Sequence, residues 1–316
     1  MSTLAFTLIL FSAFMHALWH LLVKRSKDKT VFIWWMFVTS GSLMFLALPM
    51  AGPFPLPSWR VIGLAAIGAV CFMLYHLFTG RAYRSGDLSL IYPLAQTSMF
   101  WVPIWGILIL GEKVSGLGTA GIGLILFGAY SIQLRALAWS EVVRPFRNLR
   151  DPAVLAALAA GFIYSVGSVI DKTGVMLYPP FHFTYLLVDF MLLFMTLNVM
   201  RPKYRGRVMA EFRNSRFLVL ISGPIIMASF LSFRYGLQLA PMSYAVPVRQ
   251  VSLLGGVEVF EAGKFFTEFV VPNGKLAEAV IELNDPAVFD ALNPLVRSYA
   301  AADLAYGLPT AALLPA

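Results

Sequence analysis

The sequence predicts an all-α integral membrane protein built from two inverted repeats of five helices. Three observations carry this. First, 59% of the 316 residues are hydrophobic and 13% are charged, with a mean hydropathy of +0.76. That is more apolar surface than a soluble core of this size can hide. Second, the apolar residues form continuous runs close to the ~20 residues a helix needs to cross the hydrocarbon, without the alternation of a membrane barrel. Third, one stretch occurs twice. Ser89, Pro93, Gln96 and Ser98 are matched in register by Ser243, Pro247, Gln250 and Ser252, at an offset of 154.

About ten helices are expected and eight runs are clear: 4–23, 31–50, 61–79, 88–110, 114–134, 153–170, 181–200 and 217–233. The first follows Met1-Ser2-Thr3 with neither a basic n-region nor a small-residue cleavage pattern, so it reads as a retained helix. A ninth run opens near Pro241 but is compromised by Arg249, Glu258 and Glu261. The duplicated stretch opens runs four and nine, five crossings apart, and an odd number makes the copies antiparallel, as an inverted repeat requires. A weaker echo pairs 15–24 in run one with 163–172 in run six, ending in Lys24 and Lys172. The expected units are a first repeat (1–134), a basic connection (135–152), an incomplete second repeat (153–256) and an acidic, non-spanning tail (257–316).

Loop charge gives an orientation. Connections after runs one, three, five and seven carry sixteen Lys and Arg, against Arg60, Lys113, Lys172 and Arg234 on the other side. The positive-inside rule puts the rich side in the cytoplasm and the N-terminus outside, in a multi-pass protein of the cytoplasmic (inner) membrane. The same placement argues against nucleic acid as a partner, because the basic residues flank apolar runs. The single cysteine, Cys71, excludes a disulfide framework and argues against a cysteine-ligated metal. No metalloprotease, Gly-x-Ser-x-Gly or P-loop pattern is present, so no enzyme, cofactor or metal is expected. Small residues four apart (Gly116 with Ala120, Thr119 with Gly123, Ala156 with Ala160, Ala157 with Gly161) suit close helix packing, although such residues are common in any membrane helix.

The segment from Arg81 through Gly86-Asp87-Leu88-Ser89 and Tyr92-Pro93-Leu94-Ala95-Gln96, followed by Leu110-Gly111-Glu112-Lys113 and a glycine-rich fifth run, resembles the EamA-type permeases of the drug/metabolite transporter superfamily. His16-Ala17-Leu18-Trp19-His20 before Val23-Lys24-Arg25 is similar to the first helix of one branch, where Asn is more usual at the position of His20. The resemblance extends from residue 1 to about 255. It implies two five-helix halves, a central cavity and ATP-independent movement of small metabolites or drugs, in proteins often drawn with the N-terminus inside. It also predicts a tenth helix, whereas 257–316 holds eight of the sixteen acids and no spanning run. A frame shift or fusion is the favoured reading, and an acidic appendage resting on the membrane is the alternative.

Ionisable groups inside a membrane are costly, so a functional role is their default. His16 and Asp189 are the proton-coupling candidates. His20 and His76 lie close enough to Lys24 and Arg81 for their rings to reach the interface, and Asp171 with Lys172 reads as an interfacial pair. Arg249 and Gln250 follow Pro247, which can open the helix at a site, and a guanidinium there can hold a carboxylate or phosphonate-like anion. Pairing of Arg249 with Asp189 is the structural alternative. Pro93 and Gln96 mirror Pro247 and Gln250, pointing to a midplane site, with Tyr92, Trp19 and Tyr164 as aromatic walls and Tyr75 and Tyr244 as further ones. The expected function is alternating-access transport of a small molecule across the bilayer. A non-transporting scaffold or damaged permease is the alternative, and a homodimer stays open as an assembly.

Overall fold

The computed structural model describes residues 1–85, 94, 95, 97–131 and 150–250. Within them we number nine helices: α1 (Thr3–Arg25), α2 (Lys29–Ala47), α3 (Trp59–Ser85), α4 (Ser98–Leu108), α5 (Gly116–Ser131), α6 (Pro152–Leu177), α7 (Pro180–Val199), α8 (Arg207–Leu239) and α9 (Met242–Arg249). Six of these, α1 to α3 and α6 to α8, are long and apolar enough to cross a membrane. The fold is that of an all-α membrane protein. The tail at 257–316 lies outside the described residues.

Helix starts follow local chemistry. Ser2 accepts from the Ala5 amide, Asp28 from those of Thr30 and Val31, and Asp151 from that of Ala153 ahead of Pro152. Two helices overrun the ends their charges suggest. α6 continues past Asp171 and Lys172, and α8 takes in both Arg207 to Arg216 and Arg234. Tertiary partners explain this. Lys172 Nζ donates to the Leu237 and Ala240 carbonyls at 2.7 and 2.9 Å, closing the C-terminus of α8, while Asp171 pairs with Arg234. The expected interfacial pair of Asp171 with Lys172 is therefore replaced by two separate contacts to α8.

α1 lies antiparallel to α8: Ser12 Oγ donates to the Ser229 carbonyl at 2.8 Å, and Gly236 meets Ile9 and Ala5. α3 lies antiparallel to α6, where Gly68 meets Ile170 and Gly167 meets Cys71 and Phe72. α2 packs on α8 and α3 on α7, α1 on α9 and α4 on α6, and the pairs α2 with α7 and α4 with α9 meet each other. Exchanging α1 to α4 for α6 to α9 leaves this set of neighbours unchanged. One small-residue stripe is buried: Ala156, Ala157 and Ala160 are inside, and a Cβ on Gly161 would fall 2.3 Å from Thr97 Oγ1. The other is open, since Gly116, Gly121 and Gly123 meet nothing within 4 Å among the described residues.

The two ends of the bundle differ. At one end the α1–α2 and α7–α8 connections gather Lys24, Lys27, Lys29, Lys203 and Arg207. At the other, Tyr178 Oη donates to the Pro55 carbonyl and Glu112 holds the start of α9.

Candidate functional site

The site is built around a buried arginine. Arg249, the last residue of α9, is 3% exposed. Its Nη1 donates to Tyr164 Oη at 2.5 Å, and its Nη2 lies 3.0 Å from His16 Nδ1 and donates to Ser229 Oγ at 3.1 Å. The guanidinium carbon stands 4.1 Å from the Phe233 ring centroid, a cation–π contact. Thus α1, α6 and α8 each present one face to the cation that α9 carries. His16 and Tyr164 occupy equivalent places in the 15–24 and 163–172 echo. His16 is also deep: nine residues separate it from Arg25 and thirteen from Thr3, roughly 14 and 20 Å along the helix.

Every partner of Arg249 is neutral. Among the described residues it has no carboxylate within 4.0 Å, and its Nε is buried without an acceptor. A guanidinium keeps its charge, so this is a buried positive charge with one N–H unsatisfied among the described residues. An orphaned buried donor costs about 1–3 kcal/mol, and more when charged.

The hydrogen bonds also fix the state of His16. Trp19 Nε1 donates to His16 Nδ1 at 3.0 Å, and Arg249 can only donate to the same atom. His16 Nδ1 therefore carries no proton, and the ring proton sits on Nε2, 3.2 Å from His20 Nε2. Tyr75 Oη approaches that His20 atom at 3.3 Å. Trp19 is fully buried and stacked on His20 at 3.7 Å between ring centroids, so it positions the histidines from behind. His20 and His76 do not reach the interface, being 5% and 1% exposed. Both pack on Trp19, and His76 Nδ1 is without a partner.

A second arginine borders the same space. Arg234 Nε donates to Asp171 Oδ1 at 2.7 Å, with both side chains buried. A cavity bounded by His16, Tyr75, Tyr164, Asp171, Arg234 and Arg249 has about 10 Å³ of water-accessible volume, near the minimum for one water. Among the described residues the space is too small for an organic molecule.

The remaining expected residues are dispersed. Gln250 Nε2 donates to Ser98 Oγ at 3.3 Å while its Oε1 has no partner among the described residues, so the second copy of the repeated stretch touches the first. Pro247 is buried in α9, two residues before that helix ends. Tyr92, Pro93 and Gln96 lie outside the described residues. Asp189 stands elsewhere, beside Gly41 and hydrogen-bonded to Tyr185. The Arg249–Asp189 pair is therefore replaced by contacts to Tyr164, His16 and Ser229. Tyr244 faces α5, where its hydroxyl accepts from the Ser115 amide at 3.0 Å. Among the described residues no group of three His, Cys, Asp or Glu converges to hold a metal ion.

Sequence reasoning missed Ser229, the Asp171–Arg234 pair and Glu112. Glu112 follows Gly111, whose φ of +65° makes the turn. Its carboxylate accepts from the Met242 and Ser243 amides at 2.6 and 2.8 Å and from Ser243 Oγ at 2.6 Å. The Gly-Glu turn was visible as a motif, but its partner 130 residues away was not.

The model of the EamA-like transporter family matches residues 3–134. No curated protein matches the chain. A solved structure described only as "Crystal structure of protein" aligns with a TM-score of 0.61 at 18% identity, over 88% of this chain and 92% of that one. At that identity the likeness speaks for the fold alone. Residues 3–134, which hold α1 to α5 and the His16 side of the buried network, are thus similar to the EamA-like transporter family.

Proposed function

We propose that the chain is a secondary permease of the EamA type that moves a small organic anion, carboxylate or phosphonate-like, by alternating access to the Arg249 cavity. The single observation that carries this is Arg249 itself: a buried cation with only neutral partners and an unsatisfied Nε. A monoanion would neutralise it and accept the orphan N–H, with the bidentate geometry a guanidinium favours.

The two-repeat arrangement is part of the proposal. The neighbour set that survives exchange of α1–α4 for α6–α9 supports it, as does the equivalence of His16 and Tyr164 on either side of the guanidinium. Rocking of one half against the other would open the cavity alternately to the two sides. The basic end of the bundle faces the cytoplasm by the positive-inside rule, which leaves the N-terminus outside. Proton coupling follows from the same bonds. Protonation of His16 Nδ1 would displace the Trp19 and Arg249 donors together, loosening the contact that holds α1 to α9. The groups facing His16 are Trp19 and His20 on its own helix, His76 and Tyr75 from α3, Tyr164 and Asp171 from α6, Arg234 from α8 and Arg249 from α9. Asp189 takes no part in this scheme.

The test is counterflow in proteoliposomes with a panel of small carboxylates, sulfonates and phosphonates, beside amines and neutral esters. Wild type should exchange members of the anionic set only, Arg249→Gln should lose exchange, and Arg249→Lys should retain part of it. Exchange of amines, or full activity in Arg249→Gln, would remove the anion from the proposal.

A further inference from the structure

We propose that the basic end of the bundle carries a second anion site, separate from the transport cavity, which binds the phosphate of an anionic phospholipid headgroup. An open cavity of about 510 Å³ lies between the α1–α2 and α7–α8 connections, within the size range of small-molecule sites. Five cations border it, Lys24, Lys27, Lys29, Lys203 and Arg207, against one carboxylate, Asp28.

That carboxylate is already engaged. Asp28 Oδ1 accepts from the Thr30 and Val31 amides at 3.2 and 3.3 Å, and Oδ2 accepts from Arg207 Nη1 at 3.3 Å. Lys29 Nζ donates to the Ser26 carbonyl at 2.5 Å. Lys24, Lys27 and Lys203 have no ion pair among the described residues, so the cations outnumber the Asp28 and Glu211 carboxylates beside them.

The walls are fixed in place. Buried Glu211 accepts from the Lys27 and Asp28 amides at 3.3 and 2.8 Å and from Ser215 Oγ at 2.9 Å, pinning the α1–α2 connection to α8. Tyr204 is buried against Val31 and Val199, and its ring lies 4.7 Å from Lys203 Nζ. A site whose backbone walls are held before the ligand arrives has only its lysine side chains left to order on binding.

Depth favours a lipid as the source of the phosphate. Trp34 and Trp35 stand just inside the start of α2, with Trp35 Nε1 donating to the Val208 carbonyl at 3.0 Å. Tryptophans so placed mark the headgroup level, and basic pockets between helices at that level take anionic headgroups. The inference does not depend on the transport reading.

The test compares the full chain in detergent with added phosphatidylglycerol, phosphatidylcholine or inorganic phosphate, reading bound lipid by native mass spectrometry. Wild type should retain phosphatidylglycerol over phosphatidylcholine. Lys24→Gln and Lys203→Gln should each weaken retention by roughly fivefold, while Lys113→Gln at the other end should leave it unchanged. These side chains are at the surface, and tryptophan fluorescence confirms the fold of each variant. Equal retention of the two lipids, or undiminished phosphatidylglycerol in the Lys24→Gln/Lys203→Gln double variant, would overturn the proposal. So would inorganic phosphate binding that is lost in the double variant without any lipid preference, which would assign the site to a soluble anion.

Discussion

Two arginines lie in the apolar middle of this bundle, and their surroundings are opposite. Arg234 is 2% exposed and has a carboxylate at 2.7 Å. Arg249 is 3% exposed and has a phenol, an imidazole and a hydroxyl. The first charge is neutralised by a carboxylate, and the second meets none among the described residues. Burial of an ion pair costs desolvation that its own attraction largely offsets, whereas a lone buried charge has no such offset. Under the proposed function, the cargo is what completes the second arrangement.

The sharpest way to break this comparison is to make Arg234 resemble Arg249. Asp171→Asn removes the counter-charge, and it should lower unfolding stability by about 3–5 kcal/mol. Denaturation of the solubilised protein reads this, and an Asp171→Leu/Arg234→Met double variant should recover most of the loss. Arg249→Met makes the complementary change. With no counter-charge to strand, it should leave stability unchanged or raise it by about 1 kcal/mol, while transport falls below detection.

Two smaller changes probe how Arg249 is held. Gly161→Ala lies one helical turn before Tyr164, and its Cβ would meet Thr97 Oγ1 at 2.3 Å and the Ala95 carbonyl at 3.2 Å. Overpacking of that kind costs about 1–3 kcal/mol, and a lower thermal midpoint would record it. Tyr164→Phe removes one neutral acceptor from the guanidinium, worth about 1 kcal/mol. Its expected signature is a raised half-saturation concentration with little change in maximal rate.

Much of this architecture was legible in apolar runs. The run at 4–23 became α1 (Thr3–Arg25), opened by the Ser2 cap and closed at Lys24 and Arg25, and 181–200 became α7 (Pro180–Val199), opened by Pro180 and followed by Arg201 and Pro202. The runs at 153–170 and 217–233 were read too short for one reason. Asp171, Lys172 and Arg234 look like helix ends when seen locally, yet their partners are supplied by a helix about 63 residues away. Arg249 stood out as a candidate because a lone arginine beside Pro247 is anomalous in an apolar run, and the fold buries it. Its partner Ser229 was not, since a serine among apolar residues carries no local signal, and only the antiparallel packing of α1 on α8 brings it to Ser12 and Arg249. His20 and His76 show the same limit. Nearness to Lys24 and Arg81 along the chain suggested the interface, whereas the rings turn inward onto Trp19.

The central claim is that the uncompensated charge of Arg249 is completed by an anionic cargo. Thermal unfolding of the purified full chain, titrated with small organic acids and their neutral esters, tests it most directly. The account predicts that an acid raises the midpoint of wild type, that its ester does not, and that Arg249→Gln abolishes the shift while Lys113→Gln keeps it. Stabilisation by esters or amines instead of acids, or an equal acid response in Arg249→Gln, would contradict it.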